Sequence, residues 1–225
     1  MLWIGDELIQ IDSPYAAIRA WCEDINEHNR IVGGSAYYVS SSSSRGMGWM
    51  RDGLQSPVEI GWPAGHYSNM LTALNNAGEA VGYAYTSSGS FESSRWIDGV
   101  FTTVPGAGIL EEIARDGTAI GTIDHAFPNL REPTVSLGAQ AWQLQQLLDP
   151  VTGVGWDLIN AAGLNDAGAI VCNAYDPTGK WTACMLTPVA GVRASGIAAR
   201  KRTSLQIAEI ERTLGQQSTA CEPRR

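Results

Sequence analysis

The sequence predicts an all-β protein: an antiparallel, β-propeller-like array of about four units of three to four strands, followed by a short C-terminal helix. Three observations predict it. A block returns four times, as Asn26-(x)4-Ile31-Val32-Gly33, Asn75-(x)4-Ala80-Val81-Gly82, Ala114-(x)4-Ala119-Ile120-Gly121 and Asn165-(x)4-Ile170-Val171-Cys172, with its first positions 49, 39 and 51 residues apart. A unit of that length cannot bury its own apolar face and must stack on its neighbours. Glycine is abundant, at 25 of 225 residues, while charged residues make up only 17%. Apolar runs are a few residues long and are broken by turn-forming pairs, the pattern of many short strands.

The second unit is the clearest. Met70–Leu74 is a first strand, and Asn75-Asn76-Ala77-Gly78 is a turn in which Gly78 supplies positive φ and Asn75 satisfies backbone donors. Glu79–Tyr85 is a second strand, with Ala80, Gly82 and Ala84 on one face and Val81, Tyr83 and Tyr85 on the other. Thr86-Ser-Ser-Gly89 turns the chain into a third strand, Phe91–Ile97. Asp98-Gly99 is a two-residue hairpin turn, and Val100–Val104 is the fourth strand.

The other units match piecewise. Unit one carries Asn29 where the others have Gly, and its Ser40–Ser44 run reads as a long hairpin loop because the repeat continues through it in register. Unit three has Ala114 in place of Asn, an irregular stretch from Asp124 to Glu132, and its Trp displaced to Trp142. Unit four has Trp156–Gly163, an Asn165–Gly168 turn, Ala169–Tyr175 and Trp181–Leu186, but no obvious fourth strand. Strands around Met1–Ile4 and Leu8–Ile11 stand before unit one with nothing to precede them. Leu8–Ile11 is a candidate to complete unit four and close a ring; the other explanation is that the chain is cut from a longer array. A β-solenoid is the runner-up architecture.

Residues 1–190 are therefore expected to form the β-repeat domain and 191–225 a basic tail. From Ser204 to Leu214 the spacing of Leu205, Ile207, Ile210 and Leu214 predicts a short amphipathic helix stopped by Gly215. Charge divides in the same place. Residues 1–192 hold 20 acids and 8 bases, while 193–225 hold 3 acids and 7 bases. An acidic body repels nucleic acid and anionic lipid, so no nucleic-acid partner is expected. No apolar run is long enough for a transmembrane helix. The first residues lack a basic segment, so no signal peptide is read in this chain.

Four cysteines are present, without metal-ligand spacing. A hairpin centred on Thr178 pairs Tyr175 with Trp181 and Cys172 with Cys184. That sets the two sulfurs opposite one another, as expected at a non-hydrogen-bonded pair, so Cys172 and Cys184 are a candidate disulfide; two buried free thiols are the alternative.

With the units laid out, the chain resembles the bacterial HAF-repeat family. Ala73–Ala84, Leu164–Val171 and Ala183-Cys184-Met185-Leu186-Thr187-Pro188 carry the likeness, with Trp49–Gly53 and Trp96–Gly99 matching its Trp-x-x-Gly element. The namesake His125-Ala126-Phe127 occurs once. The resemblance implies a repeat scaffold without established catalytic activity in an extracellular or cell-surface setting, often in proteins with a sorting signal of the PEP-CTERM kind; no such signal is read in this chain.

The residues themselves point to no chemistry. His28, His66 and His125 do not pair at metal-ligand spacing, and nucleophile-elbow, phosphate-loop and zincin motifs are absent. No cofactor, metal or catalytic residue is expected, and the protein is read as a non-enzyme that binds through loops, its partner a glycan or a protein. The competing class is a carbohydrate-active hydrolase on a propeller, which needs two or three carboxylates on one cavity. Asn26, Asn75, Gly78, Asn165 and Gly168 are assigned to turn structure. Trp3, Trp49, Trp96 and Trp181 are expected to occupy one place in the unit and pack in its core.

Overall fold

The structure is a computed structural model that describes residues 2–4, 6–11, 18–41, 43–124, 131–188 and 205–209. Leu2–Ile4 (β1) and Glu7–Ile9 (β2) form a hairpin of their own. Four four-stranded antiparallel sheets follow. The first holds Arg19–Ile25 (β3), Arg30–Ser40 (β4), Ser43–Asp52 (β5) and Val58–Glu59 (β6). The second holds His66–Leu74 (β7), Ala80–Thr86 (β8), Phe91–Ile97 (β9) and Val100–Val104 (β10). In the third are Ile109–Ile113 (β11), Ala119–Asp124 (β12), Arg131–Leu137 (β13) and Gln140–Gln143 (β14). In the fourth are Asp157–Leu164 (β15), Ile170–Tyr175 (β16), Trp181–Pro188 (β17) and Leu205–Glu209 (β18). Each sheet is a meander in chain order.

The all-β expectation holds, and in unit two β9 and β10 span the expected residues, while β7 begins four residues earlier than expected, at His66, and β8 runs from Ala80 to Thr86. Between them Asp98 (φ 49°) and Gly99 (φ 86°) both adopt positive φ, as a twist-matched two-residue hairpin requires. The Ser40–Ser44 run is a hairpin end between β4 and β5.

One device recurs in all four sheets. The first strand carries a register shift at Cys22/Asp24, Leu71/Ala73, Leu110/Glu112 and Ala161/Gly163, each opposite the Val-Gly block of the second strand. A bulge bends its strand and sharpens the local twist. Four bulges at one place make the sheets four copies of one design.

The sheets pack in series. β7 lies on the first sheet, β11 on the second and β15 on the third. At each junction the middle residue of the recurring block points forward. Val32 packs with Leu71, Leu74 and Ala80, Val81 packs with Leu110 and Ala119, and Ile120 packs with Trp156, Leu158 and Ile170. All three are fully buried. The residue before it points backward, because side chains alternate along a strand.

Three expectations are corrected. The C-terminal helix is not found: Leu205–Glu209 forms β18 against β17, with Leu186 opposite Ile207. Leu205 and Ile207 also alternate with polar Gln206, so the stretch suits a strand as well as a helix, and the open edge of β17 supplies ladder hydrogen bonds that a lone short helix lacks. The rest of the expected helix, like His125 and Cys221, lies outside the described residues. Leu8–Ile11 does not complete the fourth sheet, since β2 pairs with β1 and β18 takes that slot. Among the described residues no strand of the fourth sheet packs on the first as extensively as β7, β11 and β15 pack on the sheets before them. Trp181 is no counterpart of Trp49 and Trp96. Nor do the others share one place: Trp49 stands opposite Gly33, the third residue of its block, Trp96 opposite Ala80, the first residue of its block, and Trp3 opposite Leu8 in the separate β1–β2 hairpin, whereas Trp181 stands opposite Tyr175 near the hairpin end and is 52% exposed.

Candidate functional site: the row of repeat turns

The four turns that join first and second strands share one backbone plan. In each, the first residue's N–H donates to the carbonyl four residues on, and its carbonyl accepts from the residue three on: Asn26 with Arg30 and Asn29, Asn75 with Glu79 and Gly78, Ala114 with Thr118 and Gly117, Asn165 with Ala169 and Gly168. The fourth turn position lies in the left-handed region, at Gly78 (φ 88°), Gly117 (φ 83°) and Gly168 (φ 78°). Asn29 adopts it too (φ 58°), as Asn tolerates it best among residues with a side chain.

The asparagines cap these turns as the sequence suggests. Oδ1 of Asn26 accepts from the N–H groups of His28 and Arg30, that of Asn75 from Ala77 and Glu79, and that of Asn165 from Ala167 and Ala169. In unit three, where Ala114 has no such group, Asp116 Oδ1 accepts from the Thr118 N–H.

A second role was missed. Asn26 Nδ2 donates to the carbonyl of Asn75, and Asn75 Nδ2 donates to that of Ala114, at 3.0 and 3.1 Å. Each asparagine therefore ties its own turn to the equivalent turn of the next unit. Ala114 cannot continue the row, and the Arg115 N–H instead donates to Asp166 Oδ1. Carboxylates two positions before the turn add a further tie. Asp24 Oδ2 accepts from the Leu74 N–H and Glu112 Oε2 from the Leu164 N–H. The signal was present: an acid precedes the turn by two residues in units one and three only.

Arg95 braces the same junction. It is buried, donates to the carbonyl of Gly117 and lies 3.7 Å from Glu79. Loss of hydration lowers its guanidinium from the usual range, while the Glu79 charge opposes that shift.

The turns of all four units line one open depression of about 230 Å³, including Asp24, Glu27, Asn76, Arg115 and Asp166. Turns one and four can border the same small space only if the units curve about a common axis, so the architecture is propeller-like rather than a straight solenoid. Three acids face it. Asp24 spends both oxygens on backbone N–H groups, those of Ile25 and Leu74. Asp166 lies 4.0 Å from the Arg115 guanidinium. Among the described residues the Glu27 carboxylate has no hydrogen-bond partner, and no group of three His, Cys, Asp or Glu side chains is placed to hold a metal.

No protein-family model, curated protein or solved structure matches the chain.

The cysteine pair sits elsewhere, on the face of the fourth sheet turned to the third. Cys172 stands opposite Cys184, as the sequence predicts. Both are buried and unbridged. The Asp176 N–H donates to the Lys180 carbonyl, so ladder alternation makes Cys172/Cys184 a hydrogen-bonded pair, not the non-hydrogen-bonded pair expected from sequence. A sulfur–sulfur hydrogen bond with Cys184, together with burial, holds the Cys172 thiol above the ordinary thiol range. The same bond lowers the Cys184 thiol.

His66 lies with Nδ1 at 3.1 Å from the Ala64 carbonyl and Nε2 at 3.4 Å from Glu92. Trp156 is buried, and Trp21, Trp62 and Trp142 are half-buried, so they form no exposed stacking patch. No helix among the described residues is long and apolar enough to cross a membrane.

Proposed function

We propose that the protein is a non-catalytic β-repeat scaffold that binds an extracellular or cell-surface glycan or protein through the hairpin ends opposite the row of repeat turns. One observation carries this: the two ends of the array are built differently. At the turn end, side chains are committed to backbone groups of the next unit. At the opposite end, the β4–β5 hairpin holds out Tyr38, 67% exposed, beside exposed Val39, and the β8–β9 hairpin presents Thr86, Ser88 and Ser90 hydroxyls bonded to one another. An exposed aromatic at one hairpin end and a hydroxyl cluster at another suit sugar stacking or a peptide contact. The resemblance to HAF repeats supports the same reading and adds the extracellular setting. An immobilised glycan panel and a surface-protein panel test it. Binding that drops at least ~10-fold with Tyr38→Ala is expected, as for loss of a central aromatic contact; binding indifferent to that change would end the proposal.

The competing hydrolase reading draws on the three acids around the depression. Glu27 is its one acid without a hydrogen-bond partner among the described residues. Turnover of chromogenic glycosides that Glu27→Gln abolishes would replace the scaffold reading.

The opposed cysteines bear on compartment. In an oxidising setting, a small-molecule disulfide oxidant would take two electrons and two protons from Cys172 and Cys184 as their S–S bond forms. Mass spectrometry of unreduced protein from its native compartment decides: a Cys172–Cys184 bridge would favour export, and two free thiols would leave export without support from this pair.

A further inference from the structure

The recurring block has one forward-pointing residue per unit: Val32, Val81, Ile120 and Val171. The first three are fully buried by the next sheet; Val171 is 37% exposed. Its neighbours on the same face follow from the register. Met185 stands opposite Val171, Ala183 opposite Asn173, and Trp181 opposite Tyr175. Tyr175 is 40% exposed, and its ring meets that of Trp181 edge-on at 5.2 Å. Asn160 bonds Asn173 within the face, and among the described residues the one acid in the register of this surface, Asp157, stands opposite Tyr175 at its border. The row of turn asparagines ends here as well. Among the described residues Asn165 Nδ2 has no acceptor, where Asn26 and Asn75 reach the next unit.

We infer that the outer face of the fourth sheet, centred on Val171, Tyr175, Trp181 and Met185, is a docking surface for a second copy of this chain, meeting it through the same face. Three facts select that occupant. The equivalent face is a sheet–sheet interface in every other unit, so this one continues an interface already used three times within the chain. The backward faces are all covered: those of the second, third and fourth sheets by the sheet before, and that of the first by burial of Ile31, Ser35 and Trp49. A second copy therefore has no free backward face to offer, and a two-fold, self-complementary contact is the arrangement left. The centre of the face is uncharged, so two molecules of net charge −8 meet without opposing like charges at the contact. A single sheet face is small for an interface, and the dimer dissociates on dilution.

Sedimentation equilibrium of the full chain, from low micromolar to near-millimolar concentration, tests this. The expected result is a monomer–dimer equilibrium with no larger species. Val171→Lys weakens dimerisation at least ~10-fold, because an ammonium would be desolvated at the contact, while Val100→Lys, exposed on the edge strand β10 of the second sheet, leaves it unchanged. If Val171→Lys does not fold, as judged by far-ultraviolet dichroism, Trp181→Lys carries the same expectation. A monomer at every concentration would overturn the inference. So would open-ended assembly, which marks a head-to-tail contact, or a dimer indifferent to both substitutions.

Discussion

The second and fourth units carry the same strand order, the same bulge and the same turn, yet they end in opposite circumstances. Val81 is sealed beneath β11 and Val171 faces water. Asn75 is buried and bonds in two directions, whereas Asn165 is exposed and only caps its own turn. In a repeat protein, then, the energetic weight of a residue is set by whether a neighbour follows, not by the local sequence that surrounds it.

Substituting the paired positions breaks this comparison most sharply. Val81→Asp buries a carboxylate with no partner and is expected to cost more than ~4 kcal/mol, enough to unfold much of the array. Val171→Asp in monomeric protein is expected to cost about 1 kcal/mol, the loss of strand propensity at a partly exposed position. Urea midpoints measure both; equal losses would refute the forward-face assignment. Close approach gives the next contrast. A Cβ on Gly82 would lie 2.0 Å from the Met70 carbonyl oxygen, while one on Gly163 meets nothing within 4 Å. Gly82→Ala is expected to cost roughly 2–3 kcal/mol by forcing the bulged β7 away, and Gly163→Ala to stay within about 0.5 kcal/mol.

The asparagines sharpen the picture further. Asn75→Ala removes the cap and the tie to Ala114, for about 2–3 kcal/mol. Asn165→Ala removes the cap alone, for about 1 kcal/mol. A thermal-melting series that ranks them equally would show that the inter-unit bond carries nothing. The smallest effect is expected at the turn of unit one. Asn29→Gly relieves a left-handed residue at the expense of a looser unfolded chain, a net gain of at most about 0.5 kcal/mol in melting experiments.

Strands and turns were legible because their signals are local. Asp98-Gly99 dictates its hairpin, and alternation in Glu79–Tyr85 separates two faces without help from the rest of the chain. The misreadings arise where a neighbour decides. Leu205–Glu209 carries a pattern compatible with helix or strand, and the vacant edge of β17 chose. Trp181 looks like Trp96 by composition, but its distance from the Asp176–Lys180 hairpin puts it at the other end of the strand. The cysteine register was readable from the turn, while the pair type was not, since that rests on which residue closes the hairpin. The ties from Asn26, Asp24 and Glu112 join atoms about fifty residues apart, and no window along the chain displays them.

The recurring bulges and the row of turns knit one end of the array into a seam with fixed spacing. The β8–β9 hairpin leaves from the other end, where no such spacing is enforced. A foreign peptide spliced between Ser87 and Gly89 should therefore lengthen one finger and leave the stitching intact, whereas the same insert between Asn76 and Gly78 would pull two units apart. The molecule is in that sense a comb: its spine resists editing and its teeth accept it.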